Sequence, residues 1–266
     1  MTLCLVAGQG RLPQVLAERA RPQLIAAVEG FAPEGLEVAR SFRVETLGGF
    51  IKGLKADGIT RICFAGAIRR PALNPAKVDA ATLPLVPRML KVLGQGDDAA
   101  LRLVLSLFED AGIAPVAAHD LVPDLLPPAG VLVGTLPKTA ERDAARAAAI
   151  VAAMGQADVG QACVVAGGQA LAIEAMPGTD WMLGSVAQAR RGDLRLPEGG
   201  LLYKGPKPGQ DRRVDLPAIG PETVRAAAEA GLRGVVIEAG GVMIVDRDAT
   251  LEAARAAGLF VWVRPA

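Results

Sequence analysis

The chain has 266 residues, 29 Lys and Arg against 28 Asp and Glu, one His, 51% apolar residues and 3% aromatic ones. That length and apolar share allow two compact domains with substantial cores. A net charge of +1 and so few rings exclude a polybasic or base-stacking nucleic-acid binder, so no nucleic-acid partner is expected. Cys4, Cys63 and Cys163 lie in apolar runs without CxxC spacing, as buried thiols in a reducing compartment do. The opening MTLCLVAGQG lacks the basic region and long apolar run of a signal or membrane span, which predicts a cytoplasmic protein.

In chain order, LCLVAG (3–8) is an apolar run closed by glycine, and LPQVLAERA (12–20) takes up helical spacing. LIAAV (24–28), LGGFIKGLKADG (47–58), RICFAG (61–66), DDAALRLVLSLFEDAG (97–112) and APVAA (114–118) continue the alternation. Apolar strands alternating with amphipathic helices predict a parallel sheet covered on both faces. After VLVGTLPKT (131–139) a second pattern begins with the Ala-rich helix 141–155, and QACVVAGGQALAIEA (161–175) reads as a hairpin turning at Gly167 and Gly168. Helices and strands then alternate to the closing LFVWV. The expected fold is α/β: a Rossmann-like parallel-sheet domain over 1–135 and a mixed α/β domain over 136–266.

Candidate sites follow the strand ends. AGQGRLP (7–13) puts glycines after the first strand, where backbone amides and a helix N-terminus can face phosphate, but Pro13 stands where the dinucleotide fingerprint needs its third glycine. AGAIRRP (65–71) brings Arg69 and Arg70, whose planar forks suit phosphate oxygens, to the carboxyl edge of the sheet. Asp97 and Asp98 open a helix, where capping explains one carboxylate and a metal could use the other. His119 is the single histidine, which excludes a His-based metal cage. In EAMPGTDWM (174–182), Thr179 and Asp180 read as helix caps, or Glu174 or Asp180 faces a ligand cleft. ATLPLVPRMLKVLG (81–94) is an apolar stripe read first as core.

The densest charge lies in KGPKPGQDRRVDLPAIG (204–220), where Lys204, Lys207, Arg212 and Arg213 stand beside Asp211 and Asp215 on a Pro- and Gly-rich backbone. Cations neutralise a diphosphate, the two aspartates can ligate a hard cation, and prolines lower the entropy cost of holding both. Phosphate chemistry is the leading class. A non-catalytic carrier of a nucleotide-linked lipid would use the same cations, and GQG with α/β alternation leaves an NAD(P)-dependent oxidoreductase as a further alternative.

GQGRLP, FAGAIRRP, GDDAALR, EAMPGTD, KGPKPGQDRRVDLPAIGPETV and VVIEAGGVMIVDRDATLEAARAAGLFVW occur in the order and near the spacing of the LpxI family of UDP-2,3-diacylglucosamine diphosphatases, which the chain resembles along its whole length. One departure is Gly8-Gln9-Gly10, where the family commonly has three glycines. The resemblance implies a Mg²⁺-dependent hydrolase of lipid A biosynthesis, with Mn²⁺ as a substitute metal, that releases UMP and 2,3-diacylglucosamine 1-phosphate. It implies Asp215 as the catalytic acid and, with Asp211, the metal ligand. Gln9, Gly10, Leu12, Gly66, Ala67, Ile68, Arg69, Arg70, Thr179, Asp180, Lys204, Lys207, Gln210, Asp211, Arg213 and Thr223 are then the expected substrate-binding residues. The partner it implies is a lipid-bearing nucleotide sugar, and it leaves open a homodimer and peripheral contact with the inner membrane.

Overall fold

A computed structural model describes residues 2–68, 73–92, 97–192 and 194–266, with Asp97 and Asp98 described by backbone alone. The chain forms two compact units. The first runs to Val122 and takes in Asp211–Asp215; the second comprises Pro123–Gln210 and Leu216–Ala266.

The first unit contains β1 (Leu3–Ala7), α1 (Leu12–Ala20), β2 (Leu24–Val28), β3 (Arg40–Phe42), α2 (Leu47–Ala56), β4 (Arg61–Ala65), α3 (Val86–Val92), α4 (Asp97–Asp110), β5 (Ala114–Pro115) and α5 (Ala118–Leu121). Its five strands are parallel in the order β3-β2-β1-β4-β5, the Rossmann order, with the topological switch between β1 and β4. All five residues of β1 are buried, as a central strand covered on both faces requires. Four of the chain's six phenylalanines meet in this core: Phe42 stacks on Phe50 with ring centroids 3.9 Å apart, and Phe50 and Phe64 meet Phe108 edge-on. These rings are therefore core, not platforms for bases.

The second unit contains β6 (Gly130–Val133), α6 (Ala140–Gln156), β7 (Ala162–Ala166), β8 (Gln169–Ile173), α7 (Thr179–Arg191), β9 (Leu201–Lys204), β10 (Ala218–Ile219), α8 (Pro221–Glu229), β11 (Gly234–Glu238), β12 (Met243–Ile244), α9 (Arg247–Ala256) and β13 (Phe260–Arg264). A six-stranded sheet runs β6-β13-β11-β9-β7-β8; β9, β11 and β13 are parallel, and β6, β7 and β8 join antiparallel. The β7–β8 turn places Gly167 and Gly168 at φ 59° and 80°, the left-handed pair that a tight two-residue hairpin demands. Strand parity sorts the two faces. Leu202, Val235, Ile237, Val261 and Val263 pack with Met182, Leu183, Val224 and Leu251, whereas Tyr203, Val236 and Trp262 pack with Ala144, Ala147 and Val151 of α6. Lys204 shares the parity of Leu202, so a cation ends a central strand on the face covered by α7 and α8.

The α/β reading with a parallel sheet and a separate mixed sheet holds. The two compact units divide after Val122, and β6 pairs with β13 in the second sheet. The three cysteines are free and buried, with burial pushing each thiol up to about 12. Among the described residues no helix is long and apolar enough to cross a membrane.

Candidate functional site

At the switch point of the first unit, the loops after β1 and β4 are stapled together. Gln9 N–H donates to Ala67 O at 2.9 Å, Ala67 N–H donates back to Gln9 O at 2.7 Å, and Gly8 N–H reaches Ala65 O at 2.7 Å. Gly66 sits at φ +89°, and a Cβ there would lie 2.7 Å from Gln9 O, so only glycine permits this closure. Gln9, Gly10, Gly66, Ala67 and Ile68 are exposed at this edge, and Leu12 is half-buried in the first turn of α1. Because the Gln9 and Ala67 amides bond each other, they do not form the open amide cradle that a dinucleotide pyrophosphate needs. Arg69 and Arg70 lie outside the described residues, as do the side chains of Asp97 and Asp98. The stripe 81–92 is core only in part: Thr82 is buried and Leu85 packs against the core, whereas α3 buries none of its residues and Leu83 and Leu90 are exposed.

The second unit holds a different kind of charge. Lys204 is 8% exposed at the end of β9, and its Nζ donates to Thr179 Oγ1 at 3.0 Å. The Thr179 hydroxyl donates in turn to Glu174 Oε1. Glu174 Oε2 accepts from Gln161 N–H at 2.8 Å, and Glu174 is itself 7% exposed. Burial pushes the Lys204 ammonium down from its ordinary pKa, while the carboxylates of Glu174 and Asp180 push it up. An ammonium has three donors, and among the described residues Thr179 is the one hydrogen-bond partner recorded for this one. A buried cation with unused donors is costly alone and favourable with an anion against it.

Helix capping does not account for Thr179. Gly178 occupies the N-cap of α7, and no side chain among the described residues caps this end; the hydroxyl is engaged by Lys204 and Glu174 instead. Asp180 is exposed in the first turn, where its charge also suits the helix dipole.

The remaining cations of 204–220 are engaged differently. Lys207 Nζ pairs with Asp158 at 2.8 Å, and Lys207 N–H donates to Gln210 Oε1 at 3.1 Å. In the segment that belongs to the first unit, Arg213 donates through Nε to Asp211 Oδ1 at 2.9 Å, through Nη2 to Asp211 Oδ2 at 2.7 Å and through Nη1 to Glu109 Oε1 at 2.6 Å. The Arg213 guanidinium holds the Asp211 carboxyl below the usual carboxylate range, and the two acids raise Arg213 further. Asp215 follows in the same turn, its N–H donating to Asp211 O at 3.1 Å. Thr223 sits in the first turn of α8, where its hydroxyl accepts from Gly220 N–H at 3.4 Å. Its recorded bond is therefore local to the helix start.

Among the described residues no three His, Cys, Asp or Glu side chains gather to hold a metal ion. Asp211 has both carboxylate oxygens on Arg213, and Asp215 stands in the same turn. Mg²⁺ is commonly held by one or two carboxylates with the rest of its shell from substrate phosphates and water, and a donor set built on Asp215 fits that habit.

A cleft of about 270 Å³ opens at the opposite end of the second sheet, lined among others by Asp143, Glu198 and Arg233. Its buried acid, Asp143, accepts from the Gly167 and Gly168 amides and so holds the hairpin turn. Asp143 is thus matched by two amides, whereas the Lys204 ammonium has donors in reserve.

The chain thus pairs a unit of Rossmann strand order with a mixed α/β unit that buries an ammonium at the end of a central strand. Comparison narrows the class. The LpxI N-terminal domain matches residues 2–125 and the LpxI C-terminal domain matches residues 128–262. UDP-2,3-diacylglucosamine pyrophosphatase LpxI of Caulobacter vibrioides is 39% identical over 97% of this chain and 96% of its own length. The chain belongs to the LpxI family, as its sequence motifs lead one to expect.

Proposed function

We propose that this chain hydrolyses the diphosphate bond of UDP-2,3-diacylglucosamine, releasing UMP and 2,3-diacylglucosamine 1-phosphate in lipid A biosynthesis. The substrate follows from the whole-length relationship to a protein named for that activity. The observation that carries the site is Lys204, buried and under-supplied with partners. Diphosphate oxygens supply the missing acceptors, and Thr179 fixes the direction of the ammonium that meets them.

Asp215 is the proposed catalytic residue, as metal ligand or as the base that takes the proton of the attacking water. Mg²⁺, or Mn²⁺ in its place, bound with Asp215 would offset charge on the diphosphate oxygens. Exposed Leu83 and Leu90 supply apolar surface suited to acyl chains, consistent with a lipid-bearing substrate and peripheral contact with the inner membrane.

The test is incubation of purified protein with UDP-2,3-diacylglucosamine and Mg²⁺, with and without EDTA, following both products by mass spectrometry. Release of UMP and the lipid phosphate that stops with EDTA supports the reading. Tight substrate binding without release would make the chain a carrier of nucleotide-linked lipid, and release unaffected by EDTA would remove the metal.

A further inference from the structure

The Lys204 cluster contains one group that the reaction does not require directly. Glu174 lies just beyond β8, buried, and its carboxylate is divided between two elements: Oε2 accepts from the Gln161 amide and Oε1 accepts from the Thr179 hydroxyl. The Gln161 carbonyl accepts from Gly205 N–H at 3.0 Å, so the same short network reaches the residue after Lys204. A threonine hydroxyl has a single proton. With that O–H directed to Glu174, Oγ1 can otherwise only accept, and its donor is Lys204.

Resting on the reading of Lys204 as a diphosphate-binding residue, we infer that Glu174 is a positioning residue for that lysine. By accepting the hydrogen bond of the Thr179 hydroxyl it leaves Oγ1 to accept from Lys204, which turns the remaining ammonium donors toward the ligand. A glutamine in its place has one acceptor where the carboxylate has two. Its amide nitrogen must then face either the Gln161 N–H, donor against donor, or the Thr179 oxygen. In the second case the hydroxyl proton turns toward the ammonium and repels it.

Glu174 also acts through charge. It and Asp180 are the carboxylates that sustain the ammonium against burial. On the neighbouring strands the register positions beside Lys204 are Ala162 and Ile237, which carry no charge. Removing the Glu174 charge therefore lowers the pKa of Lys204 further, and the ammonium is lost at a lower pH.

Steady-state hydrolysis of UDP-2,3-diacylglucosamine by Glu174→Gln, Thr179→Val, Thr179→Ser and Lys204→Met, singly and with Glu174→Gln combined with Lys204→Met, tests this. Glu174→Gln and Thr179→Val should each raise KM about tenfold with a smaller change in kcat, the order expected for a charge-assisted hydrogen bond. Thr179→Ser, which keeps the hydroxyl, should stay near wild type. In Glu174→Gln the alkaline limb of kcat/KM should move about one unit toward lower pH. In the Lys204→Met background, Glu174→Gln should add less than about twofold, because its effect passes through the lysine.

An equal loss in both backgrounds, or an unmoved alkaline limb, would reduce Glu174 to a structural residue and overturn the inference while leaving Lys204 in place. An unchanged KM in Lys204→Met would overturn the underlying assignment of Lys204, and the inference with it. If Glu174→Gln fails to fold, the Val and Ser pair at Thr179 still decides: equal KM for the two rejects the hydroxyl relay.

Discussion

Lys204 and Arg213 come from the same charged stretch of sequence and are held in opposite ways. Arg213 is partly exposed and spends Nε, Nη1 and Nη2 on two carboxylates of its own unit. Lys204 is buried and has Thr179 as its recorded partner among the described residues. A cation whose bonds are closed within the protein braces structure, and a buried cation with donors in reserve is prepared for a ligand. Counting charges in a loop does not separate the two; burial and partner number do.

The comparison can be broken at its ends. Asp215→Asn, which keeps the shape of the side chain and removes its charge, should lower kcat by about a thousandfold with little change in KM, since metal or proton chemistry is lost while binding groups remain. Turnover near wild type would exclude Asp215. Lys204→Met should lower kcat/KM about a hundredfold, the loss of charge-assisted bonds to the diphosphate, with most of the effect in KM.

Arg213→Met should act on folding instead. Arg213 and Glu109 are 40% and 45% exposed and Asp211 is 20% exposed, so solvent screening limits the cost to about 1 kcal/mol in urea unfolding, with kcat/KM within about threefold of wild type. The smallest expected effect depends on pH. Arg213 holds the folded pKa of Asp211 below its ordinary value, so this pair stabilises the protein above the unfolded carboxylate pKa and ceases to do so as pH falls through the folded one. The Tm deficit of Asp211→Asn at pH 7 should therefore shrink below about pH 4. A deficit that is constant or grows with acid would contradict the ion-pair account.

Much of this was legible in the sequence. β1, β4, β7 and β11 are short apolar runs that read as buried strands, and Gly167-Gly168 announced its hairpin through the backbone it must adopt. β3 did not announce itself, because Arg40-Ser41-Phe42 carries too little apolar pattern and is ordered by pairing with β2. That β6 joins the second sheet is not legible locally, because its partner, β13, lies at the far end of the chain.

In the candidate site, Lys204, Thr179 and Asp211 were singled out by residue type and spacing. Which of these residues bond one another was not predictable that way. Glu109 meets Arg213 across a long separation in sequence, and no local pattern marks such a pair. Thr179 looked like a cap because it stands at a helix start; its hydroxyl points elsewhere because Glu174 and Lys204 compete for it successfully.

The most direct test of the central claim is a side-by-side measurement of kcat/KM for UDP-2,3-diacylglucosamine in Lys204→Met and Arg213→Met, with unfolding free energies determined on the same preparations. The account predicts a loss of about a hundredfold for the lysine variant and less than about threefold for the arginine variant. The reverse order, in proteins of comparable stability, would contradict it.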